Sequence, residues 1–335
     1  MKITIVGAGA IGGFLACKLF AAGHDVSVIA RSETLKAIRD QGLRLHSGND
    51  LLIAPLHATA EAEELGIQDL VIFAVKAPAL PAAVEGAKAL IGPNTRIVPA
   101  VNGLPWWYFL RSTSMLSGTR LSAVDPDGVI EKNIPTEAVI GCVVFPSCAV
   151  VSPGVVRHMS GSKIVFGEPG GGLSERVSDV AGVFLDAGFD AHAHDNIREE
   201  IWLKLLGNAC FNPVSLLVDG STDELIDDQF LHALFIDMME EILELGTRLG
   251  ISPEIDPQQR IAITRKLGKV TTSMLQDVEA HRPVEIEAIL GALVAVADQT
   301  GATMPRTRTV YALARMKAKS LGLLPNDLPT QMHST

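Results

Sequence analysis

Over roughly the first 195 residues, short runs rich in valine and isoleucine alternate with longer mixed segments. "KITIVG", "DVSVIA", "LVIFAV" and "TRIVPAV" are nearly unbroken apolar runs, as expected of parallel strands buried on both faces. Pro99 lies inside the last of them and places it at an irregular point, because proline has no N–H for a ladder. Between the first two runs, "GGFLACKLFAAG" has helical character and closes at Gly23. This is a βαβ rhythm. In "VDPDGV" the Pro-Asp-Gly order predicts a tight turn between strand-like arms. From 138 to 168 the pattern is again β, interrupted by "SPG" and "SGS", and predicts an antiparallel extension of the sheet.

After about residue 195 helical periodicity takes over. Asn196 is placed to cap a helix, with Glu199 three positions on as in a capping box. Further helices are predicted over 223–249 ending at Gly250, 257–268, 283–299 with Pro283 in the first turn, and 305–320. The terminal "PNDLPTQMHST" is expected to fray. An α/β Rossmann-type N-terminal domain over 1–195 followed by an all-α C-terminal domain over 196–335 is the resulting plan. A ligand cleft is expected between the two.

The length of 335 residues suits two domains with a buried core. Net charge is -10 and no block of basic residues occurs, which argues against nucleic acid or an anionic membrane surface as partner. A few local cations still suffice for a small anionic ligand. Cys17, Cys142, Cys148 and Cys210 form no CxxC or Cys/His cluster. That spacing predicts reduced, packed thiols in a cytoplasmic protein and no metal site. The N-terminus has a lysine and an apolar stretch, as a secretory signal does, but its alternating β-branched residues and spaced glycines read as part of the mature fold. No run approaches the roughly 18–20 uninterrupted apolar residues of a spanning helix.

Chemistry enters with "GAGAIG", where Gly7, Gly9 and Gly12 follow a strand and open a helix, with Ala10 and Ile11 inside the turn. In that context Gly7 allows the turn, Gly9 lets the backbone approach a pyrophosphate, and Gly12 lets helix pack on strand. Free N–H groups at the helix start would face the anion. The second strand ends at Ala30-Arg31, nineteen positions past Gly12. An arginine there suits a 2′-phosphate, whereas NAD-preferring sites place a carboxylate, so NADP(H) is the expected cofactor. Glu33 keeps the other choice open. Lys76 and Asn102-Gly103 follow later strands, at the edge where open α/β sheets bind ligands. Each is equally readable as a solvated charge and a plain turn.

In "IWLKLLGNACFNPV", residues 201–214, Lys204, Asn208 and Asn212 recur every fourth position and share one stripe of a helix. A solvent strip and a row of donors lining a cleft both fit. A shielded lysine would lose proton affinity and become a competent proton donor near neutral pH. Glu285 aligns with Ile289, Leu293 and Val296 near an apolar face, or else serves as a first-turn glutamate complementing the helix dipole. Ser273 reads as a cap or turn residue.

Together "KITIVGAGAIGG", "AVKA", "VNG", "IREEIWLKLLGNACFNP", "SMLQD" and "RPVEIEAILG" resemble the ketopantoate reductase family (2-dehydropantoate 2-reductases), in family order over nearly the whole chain. The Lys-x3-Asn-x3-Asn-Pro and S-M-L-Q-D segments are far more specific than the glycine motif. The resemblance implies a Rossmann domain, a helical second domain, and NADPH-dependent reduction of a small 2-keto acid in pantothenate biosynthesis, without a metal. It further implies Lys204 as proton donor, with Asn208, Asn212 and Ser273 on the substrate. Glu285 would stand at the junction of cofactor and substrate, and Arg31, Lys76 and Asn102 on the cofactor side, Asn102 reaching the substrate as well. The helical domain carries enough apolar surface for a homodimer. Two features depart from the family. Glutamine does not precede Asn102, and "NGLPWWYF" gathers Trp106, Trp107, Tyr108 and Phe109 into a block that reads as packed core, lid or substrate wall. A bulkier 2-keto acid, or NADP(H) sensing without catalysis, are the competing functions.

Overall fold

Four parallel strands form where the Val- and Ile-rich runs predict them, and the short His57–Thr59 adds a fifth that no such run marks, in the computed structural model, which describes residues 1–324. Lys2–Val6 is central, flanked by Asp25–Ile29 and Leu70–Phe73, with His57–Thr59 and Arg96–Pro99 outermost. The chain builds outward on one side of the first strand and then crosses to the other. That reversal creates a topological switch point beyond the carboxyl ends of Lys2–Val6 and Leu70–Phe73. Pro99 is the last residue of an edge strand. Ala100 N–H donates to Phe73 O at 2.8 Å, so by strand alternation the Pro99 nitrogen faces away from that ladder and no bond to it is lost. The helix Ala10–Ala21 ends as predicted, with Gly23 at φ +86° donating to Phe20 O.

Strands 141–167 do not extend the parallel sheet. Leu43–Ser47 and Asp50–Ala54 pair with Val155–Ser160 and Ser147–Ser152 in a four-stranded sheet, while Gly141–Val144 and Lys163–Gly167 join Asp190–Ala193 in a three-stranded one. An isolated Ile97–Val139 bridge joins the segment before Gly141 to the parallel sheet. Alternation identifies a strand but not its partner, and Gly161, at φ +77°, turns the chain from one small sheet to the other. The "VDPDGV" turn also lacks strand arms. Asp125 is buried, and its carboxylate accepts from Ile130 and Glu131 N–H at 3.1 and 3.0 Å, which starts the short helix Val129–Asn133.

The chain divides by its contacts into Met1–Lys204 and Leu205–Thr335. The 22-residue helix Ile197–Val218 runs through that boundary. It is long and apolar enough to cross a membrane, yet 72% of its most apolar window is buried within the protein. At its start the Asn196 amide donates to Glu199 Oε2 at 3.1 Å, but the Asn196 backbone N–H goes to His194 Nδ1, so the reciprocal capping box is not formed.

In the second unit the predicted 223–249 helix is two, Thr222–Asp227 and Gln229–Arg248. Asp228 ends one and caps the other, its carboxylate accepting from Phe230 and Leu231 N–H. Pro257–Arg265 and Pro305–Ser320 begin on the prolines expected. Pro283, by contrast, lies outside its helix. Val284 N–H is held by Leu323 O at 3.1 Å, and the helix opens with a π-helical turn at Glu287–Gly291 before Ala292–Thr300. The expected fraying of 325–335 falls outside the described residues.

Candidate active site

Gly7, at φ +103°, turns the chain from the first strand into Ala10–Ala21. The three glycines of the turn do different work. A Cβ on Gly12 would sit 1.8 Å from Gly7 O, and one on Gly7 would meet Val75 Cγ1 at 2.7 Å. At Gly9 a Cβ would meet nothing within 4 Å. Two glycines thus permit internal packing, and the third faces open space at a helix N-terminus with no side-chain cap. A dinucleotide phosphate fits that arrangement, since main-chain N–H groups and the helix dipole both favour an anion there. Ala10 and Ile11 are the first two helical residues and are half-buried.

Three other residues singled out in the sequence lie along the same edge of the same sheet. Arg31 follows Asp25–Ile29, is exposed, and precedes the helix Ser32–Gln41. Lys76 follows Leu70–Phe73 and is half-buried, its carbonyl accepting from Ala79 N–H. Asn102 follows Arg96–Pro99, next to Gly103 at φ +85°.

Lys204 comes to this edge from the long helix. Its Nζ donates to Asn102 Oδ1 at 2.8 Å and to Val144 O at 2.6 Å, and lies 6.0 Å from the Phe145 ring centroid. The side chain is half-buried, so the solvent-strip reading of this residue does not hold. Cys142, on the strand ending at Val144, is buried; burial pushes its thiol up to about 12 against the opposing pull of Lys204.

The aromatic block explains how the helix is held. Trp106, Trp107, Tyr108 and Phe109 are each 0% exposed, so they are core rather than a substrate wall. Arg198 Nε and Nη2 donate to Tyr108 O and Leu110 O at 2.7 and 3.1 Å, and Tyr108 OH donates to Arg198 O at 3.1 Å. Trp202 packs on Tyr108 with ring centroids 6.1 Å apart. Burial lowers the Arg198 proton affinity, and the two main-chain carbonyls accept from the buried guanidinium. Lys204 is therefore two residues beyond a helix segment anchored to the chain just after Asn102. Sequence reasoning missed Arg198; its signal was a lone arginine at the start of an apolar helix.

In the second unit Asn208 is half-buried and Asn212 is 6% exposed. Among the described residues no hydrogen bond engages either side-chain amide, although Asn212 O accepts from Ser215 Oγ at 2.9 Å. Ser215 Oγ also lies 2.5 Å from Thr272 Oγ1, which accepts from Leu275 N–H. Thr272, not Ser273, is the cap of Ser273–Glu279; Ser273 is its exposed first residue. The buried hydroxyl pair thus ties the Asn212 turn to the residue preceding Ser273. Glu285 is 5% exposed and lies just before its helix rather than in the first turn, with its carbonyl accepting from Ile289 N–H. The π-helical turn after it is braced by Glu287, whose carboxylate accepts from Tyr311 OH at 2.5 Å and from Arg315 Nε at 2.6 Å.

The parallel strand order, the glycine turn and the helical second unit define a two-unit protein of the Rossmann class. The family described as ketopantoate reductase PanE/ApbA matches residues 3–171, and its C-terminal counterpart matches 196–318. The chain belongs to the ketopantoate reductase family, a family of oxidoreductases. A 2-dehydropantoate 2-reductase of Mesorhizobium japonicum is 44% identical over 96% of this chain and 99% of its own length. A crystal structure from Ralstonia solanacearum MolK2, assigned provisionally as a ketopantoate reductase, has TM-score 0.93 at 43% identity, covering 96% of this chain and 99% of that one. D-mandelate dehydrogenase with NADH and anilino(oxo)acetate shares the fold, with TM-score 0.84 at 23% identity, covering 96% of this chain and all of that one, 100%.

Proposed function

We propose that the protein reduces a 2-keto acid with NADPH, its substrate being 2-dehydropantoate (ketopantoate) and its product pantoate. The observation that carries this reading is the Lys204 ammonium, held by Asn102 Oδ1 and Val144 O at the carboxyl edge of the parallel sheet. The 44% identity to a 2-dehydropantoate 2-reductase supports the substrate. Arg31 at the end of the second strand supports the phosphorylated cofactor, as its guanidinium can pair with a 2′-phosphate.

When bound, the reduced nicotinamide supplies the hydride, and with it both electrons of the reduction. Gly9, Ala10, Ile11 and Gly12 would hold the pyrophosphate through main-chain N–H groups at the turn Gly7 makes, Gly7's own N–H being taken by Ile29 O at 3.0 Å, while Arg31 and Lys76 would add positive charge. As the ketone carbon is reduced, negative charge grows on its oxygen. Lys204 stabilises that oxygen and transfers a proton from Nζ, yielding the hydroxyl; the amine is reprotonated from solvent. Asn208, Asn212 and Ser273 orient the acid, Asn102 fixes the amine, and Glu285 serves where cofactor and substrate meet.

The test is NADPH and NADH oxidation, side by side, against a panel of 2-keto acids that includes ketopantoate. Turnover of ketopantoate with preference for NADPH is expected, and Arg31→Ala should erase most of that preference. Absence of turnover with every acid would reject the reading. Tight cofactor binding without turnover, unaffected by loss of Lys204, would instead identify a sensor.

A further inference from the structure

The buried block at 106–109 leaves open which residue meets the hydrocarbon part of the substrate. We propose that Phe145 does, and that its ring sets which side chains the enzyme accepts. The inference rests on the reading of Lys204 as proton donor.

Phe145 follows the strand that ends at Val144, the residue whose carbonyl accepts from Lys204 Nζ at 2.6 Å. Its backbone N–H donates to Lys163 O at 3.1 Å, which fixes the segment to the neighbouring strand. The ring centroid is 6.0 Å from Lys204 Nζ and 5.0 Å from Lys163 Nζ. Even so, the residue keeps 39% of its surface exposed. Single exposed apolar residues are ordinary on a protein surface. This one lies beside the amine that has to reach the reacting oxygen.

Bond lengths then place the substrate. A ketone oxygen bonded to Nζ lies about 2.8 Å from it. The C=O bond adds about 1.2 Å, so the reacting carbon sits about 4 Å from the amine and its two substituents about 1.5 Å further. The ring is therefore within reach of one of them. One substituent is a carboxylate, which the negative face of an aromatic ring repels. The other is the hydrocarbon group, which gains by covering apolar surface. The Lys163 ammonium near the ring already faces Glu200 Oε2 at 3.7 Å, which offsets its pull on a substrate carboxylate. The ring consequently takes the hydrocarbon group, and the apolar face it offers favours the larger, branched groups over a methyl.

The experiment compares wild type with Phe145→Ala and Phe145→Leu, measuring kcat and KM with NADPH for pyruvate, 2-ketobutyrate, 2-ketoisovalerate and ketopantoate. For the alanine variant the ratio of kcat/KM for the branched acids to that for pyruvate falls about tenfold or more, the scale of a lost hydrophobic pocket contact. Most of the change lies in KM, and NADPH affinity by fluorescence titration stays within about twofold. The leucine variant shifts the ratio in the same direction by less, and that graded shift is decisive if the alanine variant does not fold. A ratio within about twofold of wild type in both variants overturns the assignment, as does an equal fall for every acid. A wild-type enzyme inactive on all four acids rejects the reaction itself, a separate outcome.

Discussion

Lys204 Nζ donates to Asn102 Oδ1 at 2.8 Å, joining residues 102 positions apart. With Val144 O as a second acceptor, the carboxyl edge of the parallel sheet and the end of a strand in the three-stranded sheet together aim one ammonium. The amide oxygen and the carbonyl are both neutral acceptors. A carboxylate in either place would hold the proton more firmly and oppose its transfer.

Lys204→Ala should therefore lower kcat by about a hundredfold to ten-thousandfold, the usual contribution of a positioned acid. NADPH affinity, read by fluorescence titration, should change little. Asn102→Ala leaves the amine in place but removes one of its anchors. A loss of about tenfold in kcat is expected, as for a hydrogen bond to a charged group.

The glycines of the turn should separate folding from binding. Gly12→Ala drives a methyl to 1.8 Å from Gly7 O, so thermal melting should show a clear loss, about 2 kcal/mol or more. Gly9→Ala meets no atom within 4 Å and keeps an ordinary backbone conformation. Its melting temperature should match wild type while NADPH affinity falls about tenfold, because the methyl occupies the approach of the pyrophosphate.

Arg198→Met tests the helix anchor. It leaves the carbonyls of Tyr108 and Leu110 without their donors. Urea unfolding should register a loss of about 2 kcal/mol. kcat should fall as well, since the helix carrying Lys204 is no longer clamped to the segment after Asn102.

Burial pushes the thiols of Cys17, Cys142 and Cys148 up to about 12, and raises Cys210 further. At pH 8 the three buried thiols, Cys17, Cys142 and Cys210, should be inert to a thiol-reactive dye, and the half-buried Cys148 should react slowly. Denaturant should release four reactive thiols. Rapid labelling of the folded protein would contradict the packing described.

Burial alone would raise the Glu168 carboxyl, but hydrogen bonds from Arg176 and Ser174 and the Arg176 charge outweigh it and hold the group below its usual range. Its stabilising effect is complete above the ordinary carboxyl value and fades as pH falls through the depressed folded value. Melting temperatures measured from neutral pH downward should fall less steeply for Glu168→Gln than for wild type.

Much of the architecture was legible because it is local. The periodicity of "KITIVG" and "LVIFAV" encodes two buried faces, and the glycine spacing encodes a turn whose reach is a few bonds. Pro257 and Pro305 start helices because a missing N–H is harmless there. The break at Asp228 was missed because apolar spacing continues on both sides, while a carboxylate captures two N–H groups within three residues.

By itself, then, the sequence determined four of the parallel strands, the glycine turn and the helical character of the second unit, though not Leu43–Ser47, Asp50–Ala54 or the break at Asp228. It also placed charged and amide groups at the ends of particular elements. Only the tertiary structure decided that Leu43–Ser47 pairs with Val155–Ser160, that four consecutive aromatic residues are core, and that the Lys204 amine rests on Asn102. The physical reason is that periodicity specifies a face but not its partner. Partners follow from which distant segments bury the most surface together, a property of the closed chain and not of any window along it.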